Sequence, residues 1–254
     1  MNGSTRVEVL QENPGRAGTE ARRAQAGVAA GPPAFRNARR DQKSISSSLE
    51  RQVLIWLAER TPDCVTSDHL TLLGSVSMFL AGVWYAIARW NHLGLLGATL
   101  CIGLNWLGDS LDGTLARVRN RQRPRYGFYV DHMLDTFGAL FLTSGLAVSG
   151  YVSWPVAAGM LVAFLVLSIE VYLAAYTLAS FRLSFWKLGP TELRLLLVAA
   201  NLVLWYRPTA RALGTSYRLL DFGGCIAIAG MAAATVIATA AHIGRLYREE
   251  PLVS

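Results

Sequence analysis

Residues 105–135 read NWLGDSLDGTLARVRNRQRPRYGFYVDHMLD and place four aspartates near the ends of two apolar segments. Asp109 and Asp112 are three residues apart, and Asp131 and Asp135 are four apart, so each pair occupies one face of a helix. Carboxylates at membrane depth are costly, at roughly 2.5–3.5 kcal/mol each on the insertion scale. The short connection predicts antiparallel neighbouring helices whose aspartates meet at one end.

Four carboxylates in a small space of low dielectric cannot all ionise unless a cation lies between them. Hard divalent ions prefer such oxygen ligands. The four aspartates are therefore predicted to bind two Mg²⁺ ions, with Mn²⁺ as an alternative, an arrangement that suits phosphoryl chemistry. A single intramembrane aspartate could instead serve helix packing or a proton relay. Four aspartates at these spacings favour the metal site.

The composition indicates a membrane protein. The chain is 52% hydrophobic and only 16% charged, whereas soluble domains carry about 25% charged residues. The net charge of +7 comes from basic residues in the N-terminal tail and between apolar segments, which favours loops beside an anionic leaflet over nucleic acid. Cys64, Cys101 and Cys225 share no short spacing and are interpreted as incidental thiols.

The fold class is predicted to be all-α, with about six transmembrane helices and an N-terminal interfacial helix. The six apolar segments cover approximately residues 70–90, 93–109, 127–150, 154–180, 191–206 and 219–245. A spanning helix needs about 20 residues, and the fifth segment is short.

The chain is also predicted to divide into four regions. Residues 1–48 are a disordered cytosolic tail, and residues 49–62 are an amphipathic helix in the interface plane. Residues 63–248 are the transmembrane domain, and residues 249–254 are a C-terminal tail.

Loop charge predicts the topology. One side carries most of the basic residues between segments, namely Arg117, Arg119, Arg121, Arg123, Arg125, Arg182, Lys187, Arg245 and Arg248. The other side carries Arg89, Arg207, Arg211 and Arg218. Both termini and the acidic site are therefore expected to be cytosolic in a multi-pass protein.

The motif Asp109-x2-Asp112-Gly113-x2-Ala116-Arg117-x9-Gly127-x3-Asp131-x3-Asp135 resembles the signature of the CDP-alcohol phosphatidyltransferase family, with every fixed position present. The six-span layout and the interfacial helix extend the resemblance to about residues 49–245. It implies transfer of a phosphoalcohol (phosphatidyl) group from a CDP-alcohol to an acceptor hydroxyl, with release of CMP, in phospholipid biosynthesis. Residues 66–71 read TSDHLT, where members often carry Thr-Pro-Asn-x-Leu-Thr; Asp68 and His69 are interpreted as a helix cap and its neighbour.

The resemblance also implies roles for the motif residues. Asp109, Asp112, Asp131 and Asp135 would bind two divalent ions, and Asp135 would be the general base that takes the acceptor proton. The CDP site would be formed by Asp112, Gly113, Ala116, Arg117 and Gly127.

The acceptor site is predicted from polar residues on later helices. Glu170 lies in the fourth apolar segment, and Glu192 and Arg194 lie at the start of the fifth. The alternative is an interhelical ion pair of either glutamate with Arg194 or Arg182. Two substrate pairs fit: CDP-diacylglycerol with a small polyol, which is slightly favoured, and a small CDP-alcohol with diacylglycerol.

Several other features have mainly structural interpretations. His132 is interpreted as structural because it points to a different helix face from Asp131. Small residues in the last segment, Gly223, Gly230 and Ala232 to Ala234, are interpreted as helix packing and a candidate homodimer seam.

Two alternative functions also use clustered carboxylates. An intramembrane prenyltransferase also binds Mg-diphosphate through aspartates, but on well-separated helices. A cation transporter, a non-enzymatic alternative, would have inverted repeats, and the sequence has no such internal symmetry.

Overall fold

The computed structural model describes residues 39–40, 47–178, 180–181, 190–206, 209–212 and 215–250. These residues all lie within one compact unit, Asn37–Ser254. Most of the predicted tail at residues 1–48 lies outside the described residues, as do Arg182, Lys187 and Arg207. The predicted C-terminal tail is described only at residues 249–250.

Seven helices dominate the described residues, which confirms the all-α class. They are α1 (Ser47–Arg60), α2 (Ser67–Ala88), α3 (Leu93–Val118), α4 (Pro124–Ser149), α5 (Trp154–Thr177), α6 (Pro190–Tyr206) and α7 (Leu219–Glu249). Four short strands accompany them: β1 (Arg39–Arg40), β2 (Ser180–Phe181), β3 (Thr209–Ala212) and β4 (Thr215–Arg218). Strands β1 and β2 pair in parallel, and β3 and β4 form an antiparallel pair.

Three helices are long and apolar enough to cross a membrane: α2, α5 and α7. Helices α3 and α4 are each 26 residues long but carry the aspartates and several arginines. Helix α6 has 17 residues, about 25 Å at 1.5 Å per residue, less than the roughly 30 Å hydrocarbon layer. The number of six spans stays a prediction.

Helix α2 is the centre of the site-forming part of the fold, because α3 and α4 both make their main contacts with it. This corrects the expectation that α3 and α4 pack directly on each other. The physical reason is the small residues on α2. A Cβ on Gly145 of α4 would collide with the backbone of Gly82, and one on Gly108 of α3 would lie 2.7 Å from the Gly74 nitrogen. Each helix therefore approaches α2 backbone to backbone.

Helix α1 packs on α3. Leu54 and Ala58 are buried in a cluster with Leu70, Leu111 and Leu115, whereas Val53 and Trp56 on the opposite face are 43% and 53% exposed. The helix thus has an apolar face inside the fold and apolar side chains outside it, as an interfacial helix would. Its position in the interface stays a prediction.

A buried polar network joins α2, α3 and α6. The Tyr85 hydroxyl donates to the Asn201 side-chain oxygen at 2.8 Å, and the Asn201 amide donates to the Thr99 hydroxyl at 3.0 Å. Leu204, Leu95 and Ile102 surround this network in the main core cluster. The network fixes α6 against α2 and α3, which brings Arg194 to the aspartates.

Candidate metal and substrate site

The structure places all four predicted aspartates around one cavity between α2, α3 and α4. Thr71, Ser75 and Asn105 also line it. The cavity has a volume of about 30 Å³, more than the roughly 10–15 Å³ that a cavity needs to hold one water molecule. A space of this size fits metal ions and their ligands, and a nucleotide would have to lie outside it.

Asp112 is held by α2. Its carboxylate accepts a hydrogen bond of 2.6 Å from the Thr71 hydroxyl and another, very short, from the Gly113 backbone N–H. Ser67 donates to the Asp112 backbone carbonyl at 3.0 Å. Asp112 is only 6% exposed, so these bonds replace water as its hydrogen-bond donors.

Asp109 forms an ion pair with Arg194 of α6, with 2.7 Å between carboxylate oxygen and guanidinium nitrogen. Arg194 also donates from Nε to the Asn105 side-chain oxygen at 2.9 Å, and Asn105 donates to the Gly74 carbonyl at 3.0 Å. Hydrogen bonds therefore join the three helices α2, α3 and α6 beside Asp109.

Asp131 and Asp135 approach the cavity from α4, where Asp131 is half-buried and Asp135 is exposed. On the adjoining face of α4, His132 packs against the ring of Phe128, with 4.2 Å between ring centroids, and against Tyr172 of α5, at 4.8 Å. The packing of His132 agrees with its structural interpretation. It also leaves Asp131 and Asp135 on the face toward the cavity.

The residues implied for CDP binding lie at the same end of α3 and α4. A Cβ on Gly127 would meet no atom within 4 Å, and one on Gly113 would meet only the Arg117 guanidinium, at 3.6 Å. Arg117 is exposed and donates to the Thr114 hydroxyl at 3.0 Å. Ala116 is half-buried beside it. Open space therefore borders both glycines, and a guanidinium group reaches it.

The candidate acceptor residues separate into two places. Arg194 lies at the aspartates, and Glu192 precedes it on α6. Glu170 of α5 instead contacts His242 of α7, with 2.6 Å between carboxylate oxygen and ring nitrogen. The alternative ion pair of Glu170 with Arg194 does not form, since Arg194 pairs with Asp109; Arg182 lies outside the described residues.

Two loop arginines have structural contacts that charge patterning did not reveal. Arg119 donates to the backbone carbonyls of Val65 and Thr61 at 2.6 and 2.7 Å. Arg123 pairs closely with Asp68 in the first turn of α2. The cap of α2 is Thr66 in a capping box: its hydroxyl accepts the His69 backbone N–H, and its backbone N–H donates to the His69 ring. Asp68 therefore serves the ion pair and is not the cap.

Thr71, Asn105 and the ion pair between Arg194 and Asp109 were not predicted as site features. A weak signal exists for the first two: Thr71 and Ser75 are four residues apart on α2, and Asn105 is one turn before Asp109 on α3. Polar side chains repeated on one face of an apolar helix mark a face that avoids lipid.

The residues fit a divalent metal in kind and in place, because four carboxylates and a threonine hydroxyl line one cavity. They do not form a finished ion site as they stand. No three His, Cys, Asp or Glu side chains of the described part of the chain are arranged to hold an ion, and Asp109 and Asp112 are bonded to Arg194, Thr71 and the Gly113 backbone.

The chain also matches a known protein family. The family model described as CDP-alcohol phosphatidyltransferase matches residues 64–241. This range includes helices α2 to α6, most of α7, and all the motif residues. A search of curated proteins finds no significant match.

Proposed function

Because that match covers more than half of the 254 residues, the chain belongs to the CDP-alcohol phosphatidyltransferase family, and we propose that it transfers a phosphatidyl group to an acceptor hydroxyl in phospholipid biosynthesis. The family supports transferase activity with CDP-alcohol and alcohol substrates, and its members use divalent metals. The observation that carries the proposal is the position of the four motif aspartates around one cavity.

In the proposed reaction, an acceptor hydroxyl oxygen forms a bond to the β-phosphorus of the CDP-alcohol. The bond from that phosphorus to the oxygen bridging to CMP breaks, and CMP leaves with the bridging oxygen. Asp135, the most exposed of the four aspartates, takes the proton of the hydroxyl as general base. Two Mg²⁺ ions, or Mn²⁺, held by Asp109, Asp112, Asp131 and Asp135, would supply charge stabilisation for the diphosphate.

The CDP moiety is proposed to lie outside the narrow cavity. Gly113 and Gly127 border open space, and Arg117 can contact the diphosphate through its planar guanidinium group. Ala116 and Asp112 complete this site. The preferred donor is CDP-diacylglycerol, with a small polyol as acceptor.

The proposed acceptor contacts differ in their support. Arg194 is supported by its 2.7 Å contact with Asp109, which puts a cation beside the reacting groups. Glu192 is one helical turn or less from it on α6. Glu170 is proposed on sequence grounds alone. In the structure its carboxylate contacts His242 of α7 and not Arg194.

The central test is CMP release by protein purified in detergent with Mg²⁺ and a panel of CDP-alcohols and acceptors. We expect Asp135→Asn to lower kcat by about 10²–10⁴-fold, the usual contribution of general base catalysis. Asp63→Asn is the matched control, because the Asp63 side chain is fully exposed in the α1–α2 connection. Full CMP release by Asp135→Asn, or none from any donor with the unmodified chain, would refute the mechanism.

A second test separates donor and acceptor sites. Arg194→Gln should raise the KM of the acceptor by about tenfold or more, as expected from losing a charge-assisted hydrogen bond. The KM of the CDP-alcohol should change much less. Arg117→Gln should show the reverse pattern, and equal effects on both KM values would argue against separate roles.

A further inference from the structure

A second cavity, of about 230 Å³, lies at the end of the helical bundle opposite the aspartates. It is formed by the C-terminal end of α2, the α2–α3 connection, the α4–α5 connection and the start of α7. Its lining residue His92 precedes Asp109 by 17 residues along α3, about 25 Å of helix. The cavity is thus separate from the metal and substrate site.

The charge of this cavity is positive. Arg89, Arg218 and His92 line it, and no acidic residue does. Each arginine makes one long hydrogen bond, to the carbonyl of Val148 or Val152, both at 3.3 Å. A guanidinium group has five N–H donors, so both arginines retain donors for a ligand.

The acidic residue nearest in sequence, Asp221 of α7, is occupied elsewhere. Its carboxylate accepts the Ser153 backbone N–H at 2.6 Å. Among the described residues neither Arg89 nor Arg218 has a carboxylate partner, so their charges are not neutralised within this part of the chain.

The polar donors of the cavity include a tyrosine hydroxyl. Tyr151 is 9% exposed and lines the cavity. Burial raises the pKa of its hydroxyl, so the group stays protonated at neutral pH and can donate a hydrogen bond. It makes no hydrogen bond to the residues that the structure describes. Ser149 fixes the local backbone by accepting the Tyr151 N–H at 3.1 Å.

We propose that this cavity binds the phosphate group of an anionic ligand. Arg89 and Arg218 would be the main contacts, because planar guanidinium groups match phosphate oxygens in a bidentate way. The Tyr151 hydroxyl and the His92 ring would add hydrogen bonds. The volume of about 230 Å³ is many times the roughly 10–15 Å³ that a cavity needs to hold one water molecule, so it is enough for a phosphate group with bound water.

The surroundings suggest how such a ligand arrives. Trp90 and Trp154 adjoin the lining segments and are 75% and 70% exposed, as in aromatic belts at membrane interfaces. A lipid phosphate of the nearby leaflet and a free phosphate ion share the recognised chemistry. The proposal does not depend on the catalytic function, because none of its residues belongs to the proposed active site.

The test uses the full chain in mild detergent, with native mass spectrometry and thermal-shift titrations. The probes are phosphatidylglycerol, inorganic phosphate and a phosphate-free neutral glycolipid. For the double variant Arg89→Gln/Arg218→Gln we expect at least about tenfold weaker binding of the anionic probe, from the loss of charge-assisted hydrogen bonds. Arg248→Gln is the matched control, since Arg248 is an exposed arginine at the far end of α7.

Arginine-dependent binding of phosphatidylglycerol alone identifies a lipid headgroup, and arginine-dependent binding of inorganic phosphate identifies a free ion. Equal binding by the double variant and the unmodified chain, or equal binding of the glycolipid, overturns the proposal.

If the double variant does not fold, Tyr151→Phe and Arg89→Lys, which preserve side-chain size, take its place. At least about threefold weaker binding is then expected, and unchanged binding overturns the proposal.

Discussion

Asp112 shows how strongly one residue of the site depends on another helix. It is the most buried of the four aspartates, and its carboxylate accepts a 2.6 Å hydrogen bond from Thr71 of α2. A hydroxyl donor at this distance orients the carboxylate. The position of Asp112 is therefore set by α2 as well as by its own helix.

We predict that Thr71→Val lowers the apparent affinity for Mg²⁺ by about 10–100-fold, as is usual for loss of a hydrogen bond to a metal ligand. The substitution keeps the side-chain shape and removes the hydroxyl. Thr71→Ser should retain most of the affinity. The measurement is CMP release as a function of Mg²⁺ concentration.

Thr235→Val is the matched control for this experiment, because the Thr235 hydroxyl bonds only to a backbone carbonyl of its own helix among the described contacts. If Thr71→Val and Thr235→Val show the same Mg²⁺ dependence, Thr71 does not support the metal ligands.

At the residue scale, the sequence predicted those features that depend on local spacing. Asp109, Asp112, Asp131 and Asp135 were found because helical geometry places each pair on one face. The Thr71 bond to Asp112 and the Arg194 bond to Asp109 join residues 41 and 85 positions apart. Spacing carries no information about such pairs, since they depend on which helices pack together.

At the scale of helices, the crossing of α2 and α4 decides whether two of the aspartates reach the cavity. Gly82 and Gly145 face each other so closely that a Cβ on either would collide with backbone atoms of the opposite helix. Backbone atoms cannot move aside as a flexible side chain can, so the helices would have to separate.

Gly82→Ala is therefore expected to destabilise the protein by about 1–3 kcal/mol, the usual cost of overpacking, and to lower the apparent Mg²⁺ affinity by moving Asp131 and Asp135. Gly103→Ala is the control, because a Cβ there meets no atom within 4 Å. It should stabilise α3 by up to about 1 kcal/mol through helix propensity. Thermal unfolding in detergent measures both effects. A Gly82→Ala protein as stable as Gly103→Ala would contradict the close crossing.

Helix positions were largely predictable, and their packing was not. Segment 154–180 became α5 and segment 191–206 became α6 almost unchanged, because apolar length marks a helix clearly. Helix α3 continues to Val118, nine residues past the end of the apolar segment at Asp109, since charged residues end an apolar segment without ending a helix. The short connection between α3 and α4 suggested direct contact, but the small residues of α2 determine the contacts that form.

At the scale of the whole molecule, the composition and the apolar segments predicted an all-α membrane protein, and they did not fix the number of spans. Helices α2, α5 and α7 are apolar enough to cross a membrane. The aspartates and arginines that build the site lower the apolar character of α3 and α4. The residues proposed to carry function thus obscure the signal for topology.

The predicted topology can be tested at the two ends of α2. This helix has 22 residues, about 33 Å at 1.5 Å per residue, enough to cross the hydrocarbon layer of roughly 30 Å. Cys64 is exposed just before it, in the connection that Arg119 contacts, and Asn91 is exposed just after it. Because the arginine-rich side is expected to face the cytosol, the two positions should face opposite sides of the membrane.

A membrane-impermeant maleimide applied to sealed vesicles of either orientation makes the measurement. Cys225 is an exposed cysteine of α7 and is first replaced by serine. In this Cys225→Ser protein, Cys64 should react only when the cytosolic face is outside. Asn91→Cys in a Cys64→Ser/Cys225→Ser background should react only in the opposite orientation; Cys101 is buried in both proteins. Labelling of both positions from one side would mean that α2 does not cross. Labelling with the sides exchanged would put the aspartates on the non-cytosolic face, beyond the reach of a cytosolic CDP-alcohol headgroup.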